Sequence, residues 1–99
     1  MAETYTTGSW TVKPGEEQDF IAAWKEFVGS ATEVPGSGVF RLLQEGDRRD
    51  HFTSFGDWES VEAQEAWMQL PDFAERLGRA RSHCSDFHGT SAELVATVR

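Results

Sequence analysis

The sequence predicts an α+β domain with the element order β-α-β-β-α-β. Three observations carry that prediction. Strand-like alternation occupies both ends of the chain, two short strand-like runs flank a polar loop near the middle, and two stretches with helical apolar spacing lie between these strands.

Thr4 to Lys13 is rich in Thr, Tyr, Trp and Val and runs into the turn signal Pro14-Gly15, so it reads as the first strand. Thr6, Gly8, Trp10 and Val12 fall on one face of it, and Tyr5, Thr7, Ser9 and Thr11 on the other. Gly15 can cap the helix that follows, and Glu16, Glu17 and Asp19 suit the positive end of its dipole. Phe20, Ala23, Trp24, Phe27 and Ala31 recur at three- and four-residue spacing and define its buried stripe, and Val34-Pro35-Gly36-Ser37-Gly38 ends the unit.

Val39 to Glu45 and His51 to Gly56 are short strands joined through Gly46-Asp47-Arg48-Arg49-Asp50, a polar connection of hairpin length, and should pair antiparallel. Ser60 to Leu70 is helical, with Ser60 as its cap. Pro71 suits the first turn of a further helix better than the interior of a continuing one, so a break is expected there. In the helix beyond, Phe73, Leu77, Ala80 and Cys84 form an inward arc, with Arg76, Arg81 and His83 at its rim. Phe87 to Val98 alternates again, with Leu94, Ala96 and Val98 on one side, and reads as the last strand. This order is the ferredoxin-like split unit: a four-stranded antiparallel sheet with helices on one face. The opposite face is left bare, and a second copy is its expected cover, giving a homodimer through the open sheet face.

Bulk properties narrow the partners. Ninety-nine residues are one domain by length, here 1–99, and seven Phe, four Trp and one Tyr supply a large share of any core. Seventeen acidic against nine basic side chains, a formal charge of -8, would repel nucleic acid and anionic membranes. No apolar run approaches membrane length, and Met1-Ala2-Glu3-Thr4 lacks the basic and apolar pattern of a signal peptide, so a cytoplasmic address is expected. A lone Cys84 makes an internal disulfide impossible.

Ser9-Trp10-Thr11-Val12-Lys13-Pro14-Gly15, then Phe20 and Trp24, Phe55-Gly56-Asp57-Trp58-Glu59-Ser60, Ala66-Trp67 and Pro71-Asp72-Phe73 resemble the antibiotic biosynthesis monooxygenase domain. That family is a branch of the dimeric α+β barrel superfamily, and the similarity spans nearly the whole chain. It implies ferredoxin-like subunits whose sheets pack face to face, in agreement with the bare face inferred from the strand pattern. The family's best-understood members carry out one of two chemistries, and many others have no established activity. Some members are cofactor-independent oxygenases that turn polycyclic phenols into quinones, and others bind and open heme.

Heme-degrading members carry an Asn on the first strand, a Trp on the helix after the third strand and a His ten residues beyond it. The matching positions here are Gly8, Trp67 and Leu77, and the chain contains no Asn at all. Leu77 cannot ligate iron, which makes heme degradation the disfavoured branch. The cofactor-free oxygenases need only a dry pocket, an aromatic wall, a group to stabilise phenolate charge and a base. Trp67 and Trp10 could supply the wall beside Gly8 and Leu77, Arg76 the charge and His83 the proton relay, with no metal and no cofactor. The expected function is oxidation of an aromatic phenol or quinol by molecular oxygen. The alternative is a non-catalytic dimer that keeps the pocket to bind a small molecule.

Plainer readings stand beside these. Trp67 with Ala63, Ala66 and Leu70 can be simple core, and Arg76 can pair with Asp72 four residues earlier. Trp58 fixes the entry to the Ser60-capped helix. His83, Cys84 and His88 would be dispersed over a helix and a strand and do not converge on a metal. Cys84 reads as a small buried apolar residue, and His51 as a solvated strand-edge residue.

Overall fold

The computed structural model describes residues 4–99, so the Met1–Glu3 start lies outside the described residues. Strand β1 (Thr4–Val12) is followed by helix α1 (Glu17–Gly29), a short 3-10 helix (Ser30–Glu33), β2 (Ser37–Gln44), β3 (His51–Trp58), α2 (Val61–Met68), α3 (Phe73–Arg81) and β4 (Cys84–Glu93). The sheet order is β2-β3-β1-β4, antiparallel throughout, which is the predicted ferredoxin-like arrangement.

The strand alternation resolves into two faces. Gly8, Trp10 and Val12 of β1 and Phe52, Ser54, Gly56 and Trp58 of β3 are buried under the helices. Phe20, Trp24 and Phe27 of α1 are buried as their spacing predicts, and meet Trp10, Phe52 and Trp67 in one aromatic core. Trp58 is fully buried at the end of β3, and the Ser60 hydroxyl accepts the backbone N–H of Ala63, capping α2 as expected.

Several boundaries differ from the sequence reading. Gly15 is not the cap of α1: it adopts φ 84° in the turn after β1, and Glu16 takes the cap position without a side-chain bond. The break near Pro71 is present, but Pro71 itself lies in the connection, two residues ahead of α3. Cys84 does not continue α3. It opens β4, which therefore runs Cys84–Glu93 rather than Phe87 to Val98. A bulge between Thr11 and Val12 lets Val12 face Cys84 and Thr11 face Asp86, which hides the start of the strand from a simple two-residue alternation. At the other end Glu93 pairs with Thr4, the first described residue of β1, so Leu94, Ala96 and Val98 lie beyond the paired length. Among the described residues, no helix is long and apolar enough to cross a membrane.

Candidate functional site

The helix-facing side of the sheet is built in rows across β3, β1 and β4. Trp10 stands between Phe52 and Phe87, Gly8 between Ser54 and Gly89, and Thr6 between Gly56 and Ser91. The first row is bulky: the Trp10 and Phe87 ring centres are 4.2 Å apart, and Phe20 closes on Trp10 at 5.1 Å. The next two rows are made of glycine and short hydroxyl side chains. Small residues in a sheet interior leave the helical layer unsupported above them, and a cavity of about 220 Å³ lies there.

Trp24, Phe27, Trp67, Phe73 and Leu77 roof this cavity from the helices, and Gly8, Trp10 and Ser54 are in its floor. Trp67 is 1 % exposed and held on several sides: it stacks on Trp58 at 5.5 Å and meets Phe73 edge-on at 4.9 Å. Its indole N–H donates to the Ser30 hydroxyl at 3.0 Å, and that hydroxyl donates in turn to the Phe27 carbonyl at 2.8 Å. Trp10 donates to Ser54 Oγ at 2.9 Å, and Trp58 to Thr6 Oγ1 at 2.8 Å. Gly8 is tied to this geometry, since a Cβ there would come within 2.8 Å of both Ser54 Oγ and Trp10 Nε1.

The structure thus brings Gly8, Trp10, Trp67 and Leu77 to one cavity, and places Arg76 and His83 outside its lining. Arg76 donates from Nε to Asp72 Oδ2 at 2.7 Å and from Nη1 to the Glu26 carbonyl at 3.0 Å, so its guanidinium fastens α3 to α1. The hydrogen bond from Arg76 holds the Asp72 carboxyl below its ordinary range, and Asp72 pushes the guanidinium up in return. His83 lies just past α3, with Nδ1 2.9 Å from Glu16 Oε1. Arg76 is thus engaged by Asp72 at the start of its own helix and by the Glu26 carbonyl of α1, and His83 by the Glu16 carboxylate at the start of α1.

Among the described residues, no charged side chain and no imidazole lines the cavity. The residues present therefore do not fit a heme iron, which needs a protein ligand at the position that Leu77 fills. Burial raises the Cys84 thiol to about 11, so it carries almost no thiolate near neutrality. Among the described residues, no three His, Cys, Asp or Glu side chains converge to hold a metal ion.

On the opposite face His51 is not merely solvated. Its Nε2 lies 3.0 Å from Ser9 Oγ and its Nδ1 3.0 Å from Glu45 Oε2. The three resemble a serine-histidine-acid relay, but Ser9 sits on the central strand β1, whose backbone N–H groups are engaged in ladders on both sides. The trio works as a cross-strand tie between β1, β3 and the residue that follows β2.

The polar cavity residues Thr6, Thr7, Ser54, Gln64, Thr90 and Ser91 are not among the site residues expected from sequence. A signal for one of them was present: Phe52, Ser54, Gly56 and Trp58 alternate on one face of β3, so Ser54 is a polar residue in a row otherwise apolar.

A sequence model of the antibiotic biosynthesis monooxygenase family matches residues 5–76. No curated protein matches the chain by sequence. Among solved structures the chain is similar to SnoaB, a cofactor-independent oxygenase from Streptomyces nogalater. A variant form of SnoaB aligns with a TM-score of 0.90 at 17% identity, covering 99% of this chain and 98% of that one. Another SnoaB structure gives 0.87 at 18% identity, with the same coverage of both chains. A conserved protein from Methanosarcina mazei Go1 gives 0.84 at 14% identity, covering 96% and 95%. At these identities the likeness shows the fold.

Proposed function

Because the chain belongs to the antibiotic biosynthesis monooxygenase family, we propose that it is a cofactor-independent monooxygenase acting on an aromatic phenol or quinol held in the cavity above Gly8. One observation carries the reading: a cavity of about 220 Å³, roofed by Trp24, Phe27 and Trp67 and free of charged side chains, has the size and chemistry to hold a small fused-ring ligand. The likeness to SnoaB, itself described as a cofactor-independent oxygenase, supports the same reaction class.

In this reading the substrate supplies every electron. A ring methylene beside a phenol gives up two hydrogens, one atom of molecular oxygen becomes the new carbonyl, and the other leaves with those hydrogens as water. The chain contributes position and dryness: Trp67 and Trp10 fix the ring plane, Gly8 makes room for the Trp10–Ser54 hydrogen bond in the cavity floor, and Leu77 excludes water. Arg76 and His83 receive no step, because their carboxylate partners hold them elsewhere.

A second reading has its own support. Among the described residues, no His, Asp or Glu lines the cavity to serve as a general base. A non-catalytic dimer that only binds such a ring fits this equally. Both readings pair two copies through the open sheet face, where Val39 and Leu43 of β2 are 57% and 54% exposed, and both keep the cytoplasmic address expected from the sequence.

Incubation of the purified protein with oxygen and a panel of anthrone-like phenols, followed by quinone absorbance, tests the proposal. Quinone formation above buffer, reduced in Trp67→Phe, is expected. Rates equal to buffer across the panel, with binding retained, would leave the binding-only reading in its place.

A further inference from the structure

Three hydroxyl groups on the sheet side of the cavity share one arrangement. Thr6 Oγ1 accepts from Trp58 Nε1 at 2.8 Å, Ser54 Oγ from Trp10 Nε1 at 2.9 Å and Ser91 Oγ from Gln64 Nε2 at 2.6 Å. All three line the cavity. A hydroxyl carries one proton and two lone pairs, so one that already accepts from an N–H still has its proton to give. Among the described residues, none of these three donates that proton to a protein acceptor. Accepting from an N–H also polarises the O–H and strengthens it as a donor.

Ser30 provides the contrast within the same molecule. It too accepts from an indole, Trp67 Nε1 at 3.0 Å, but it donates to the Phe27 carbonyl at 2.8 Å and does not line the cavity. Its hydrogen bonding is complete within the protein. That of Thr6, Ser54 and Ser91 is complete only on the acceptor side.

We propose that Thr6, Ser54 and Ser91 form a specificity-determining donor edge that selects ligands bearing carbonyl or phenolate oxygens on the side facing the sheet. The register places the three close together: Thr6 lies opposite Ser91, and Ser54 lies opposite Gly8, two residues along β1 from Thr6. With no charged group among the described residues that line the cavity, these donors are its principal means of telling an oxygenated ring from a hydrocarbon of the same shape. Ser54, 8% exposed, sits deepest of the three and has the least access to competing water. The inference rests on the reading of the cavity as a ligand site.

Fluorenone and fluorene share one ring skeleton and differ by a carbonyl oxygen, so their binding to the full chain, followed by quenching of tryptophan fluorescence, isolates the donor edge. A carbonyl entering an apolar cavity without donors loses its hydration, and fluorene would then bind the tighter of the two. With the donors present, fluorenone is expected to bind roughly tenfold tighter than fluorene. Ser54→Ala and Thr6→Val should each erase most of that preference, with an unchanged far-ultraviolet circular dichroism spectrum reporting that the fold is intact. The carbonyl stretch of bound fluorenone should lie below its value in hydrocarbon solvent and move back up in Ser54→Ala, a change that a packing role alone would not produce. Should either variant fail to fold, the preference of the unmodified protein and the carbonyl stretch decide the matter. Equal or tighter binding of fluorene, or an unshifted carbonyl, overturns the donor edge and leaves the cavity as a ligand site. Failure of both probes to bind overturns the donor edge together with the ligand-site reading.

Discussion

Trp67 donates its indole N–H to the buried hydroxyl of Ser30, 3.0 Å away, so the ring that walls the cavity is pinned by a serine at the start of the 3-10 helix after α1. The tie joins α2 to the end of α1 and explains how a large side chain is fixed in one orientation beside open space. Trp67→Ala should destabilise the protein by about 3–5 kcal/mol, because it removes a fully enclosed ring and leaves a void. Ser30→Ala should cost about 1–3 kcal/mol, the penalty of an unpaired buried N–H. Urea unfolding of each variant measures both.

Gly8→Ala sets a methyl group within 2.8 Å of Ser54 Oγ and Trp10 Nε1 and so attacks their hydrogen bond directly. Neither neighbour can move far, since Trp10 is wedged against Phe20 and Phe87. A loss of about 1–3 kcal/mol is expected from overpacking. Fluorene affinity should fall with it, and an unchanged affinity would show that the floor of the cavity is not where ligands rest.

The Asp72–Arg76 pair predicts a pH dependence of definite sign. The hydrogen bond from Arg76 lowers the Asp72 carboxyl below its ordinary 3.8, so the folded state favours the charged form. Its contribution is fully present above the ordinary value and is lost as the pH falls through the lowered one. Thermal melting of Asp72→Asn should therefore lie below that of the unmodified protein near neutrality, and the gap should close in acid. The gap should be small at any pH, because both side chains are partly solvated.

Cys84 should be a slow thiol. With burial raising it from 9.0 to about 11, its thiolate fraction at neutral pH falls about a hundredfold below that of an unperturbed cysteine. Iodoacetamide labelling followed by mass spectrometry should show a rate that is low at pH 7 and still climbing above pH 9. A plateau by about pH 10, as a cysteine at the ordinary 9.0 would give, would contradict the burial argument.

Pairing through the open face can be challenged at its edge. Leu43 of β2 is 54% exposed on that face, opposite Thr53 of β3. Light scattering should give about twice the 11.1 kDa chain mass for the unmodified protein. Leu43→Glu should shift it toward the single-chain mass, because a charge buried without a partner at an interface opposes association. A single-chain mass for the unmodified protein at micromolar concentration would remove the homodimer from the proposal.

The elements were legible in the sequence because each depends on a local rule. Alternation at Gly8, Trp10 and Val12, the helical spacing of Phe20, Trp24 and Phe27 and the cap at Ser60 all operate within a few residues and appear as expected. The end of β4 was not legible, since it is set by where β1 offers partners, up to Thr4 opposite Glu93. The start of β4 was masked by a bulge that offsets the alternation by one residue.

The candidate site divides along the same line. Gly8, Trp67 and Leu77 could be named because the family resemblance assigns their positions, and Trp10 because a large ring stands out on its strand face, and the structure brings all four to one cavity. The directions of Arg76 and His83 depend on which carboxylate lies within reach after folding, and Asp72 and Glu16 turn both aside. The donor edge is invisible along the chain, because Thr6, Ser54 and Ser91 become neighbours only through strand register. Sequence by itself determined the fold, which follows from side-chain type and short-range period, and the family, which its motifs resemble. Tertiary structure decided which polar groups face the cavity, because a hydrogen bond is fixed by distance and angle between residues far apart in the chain.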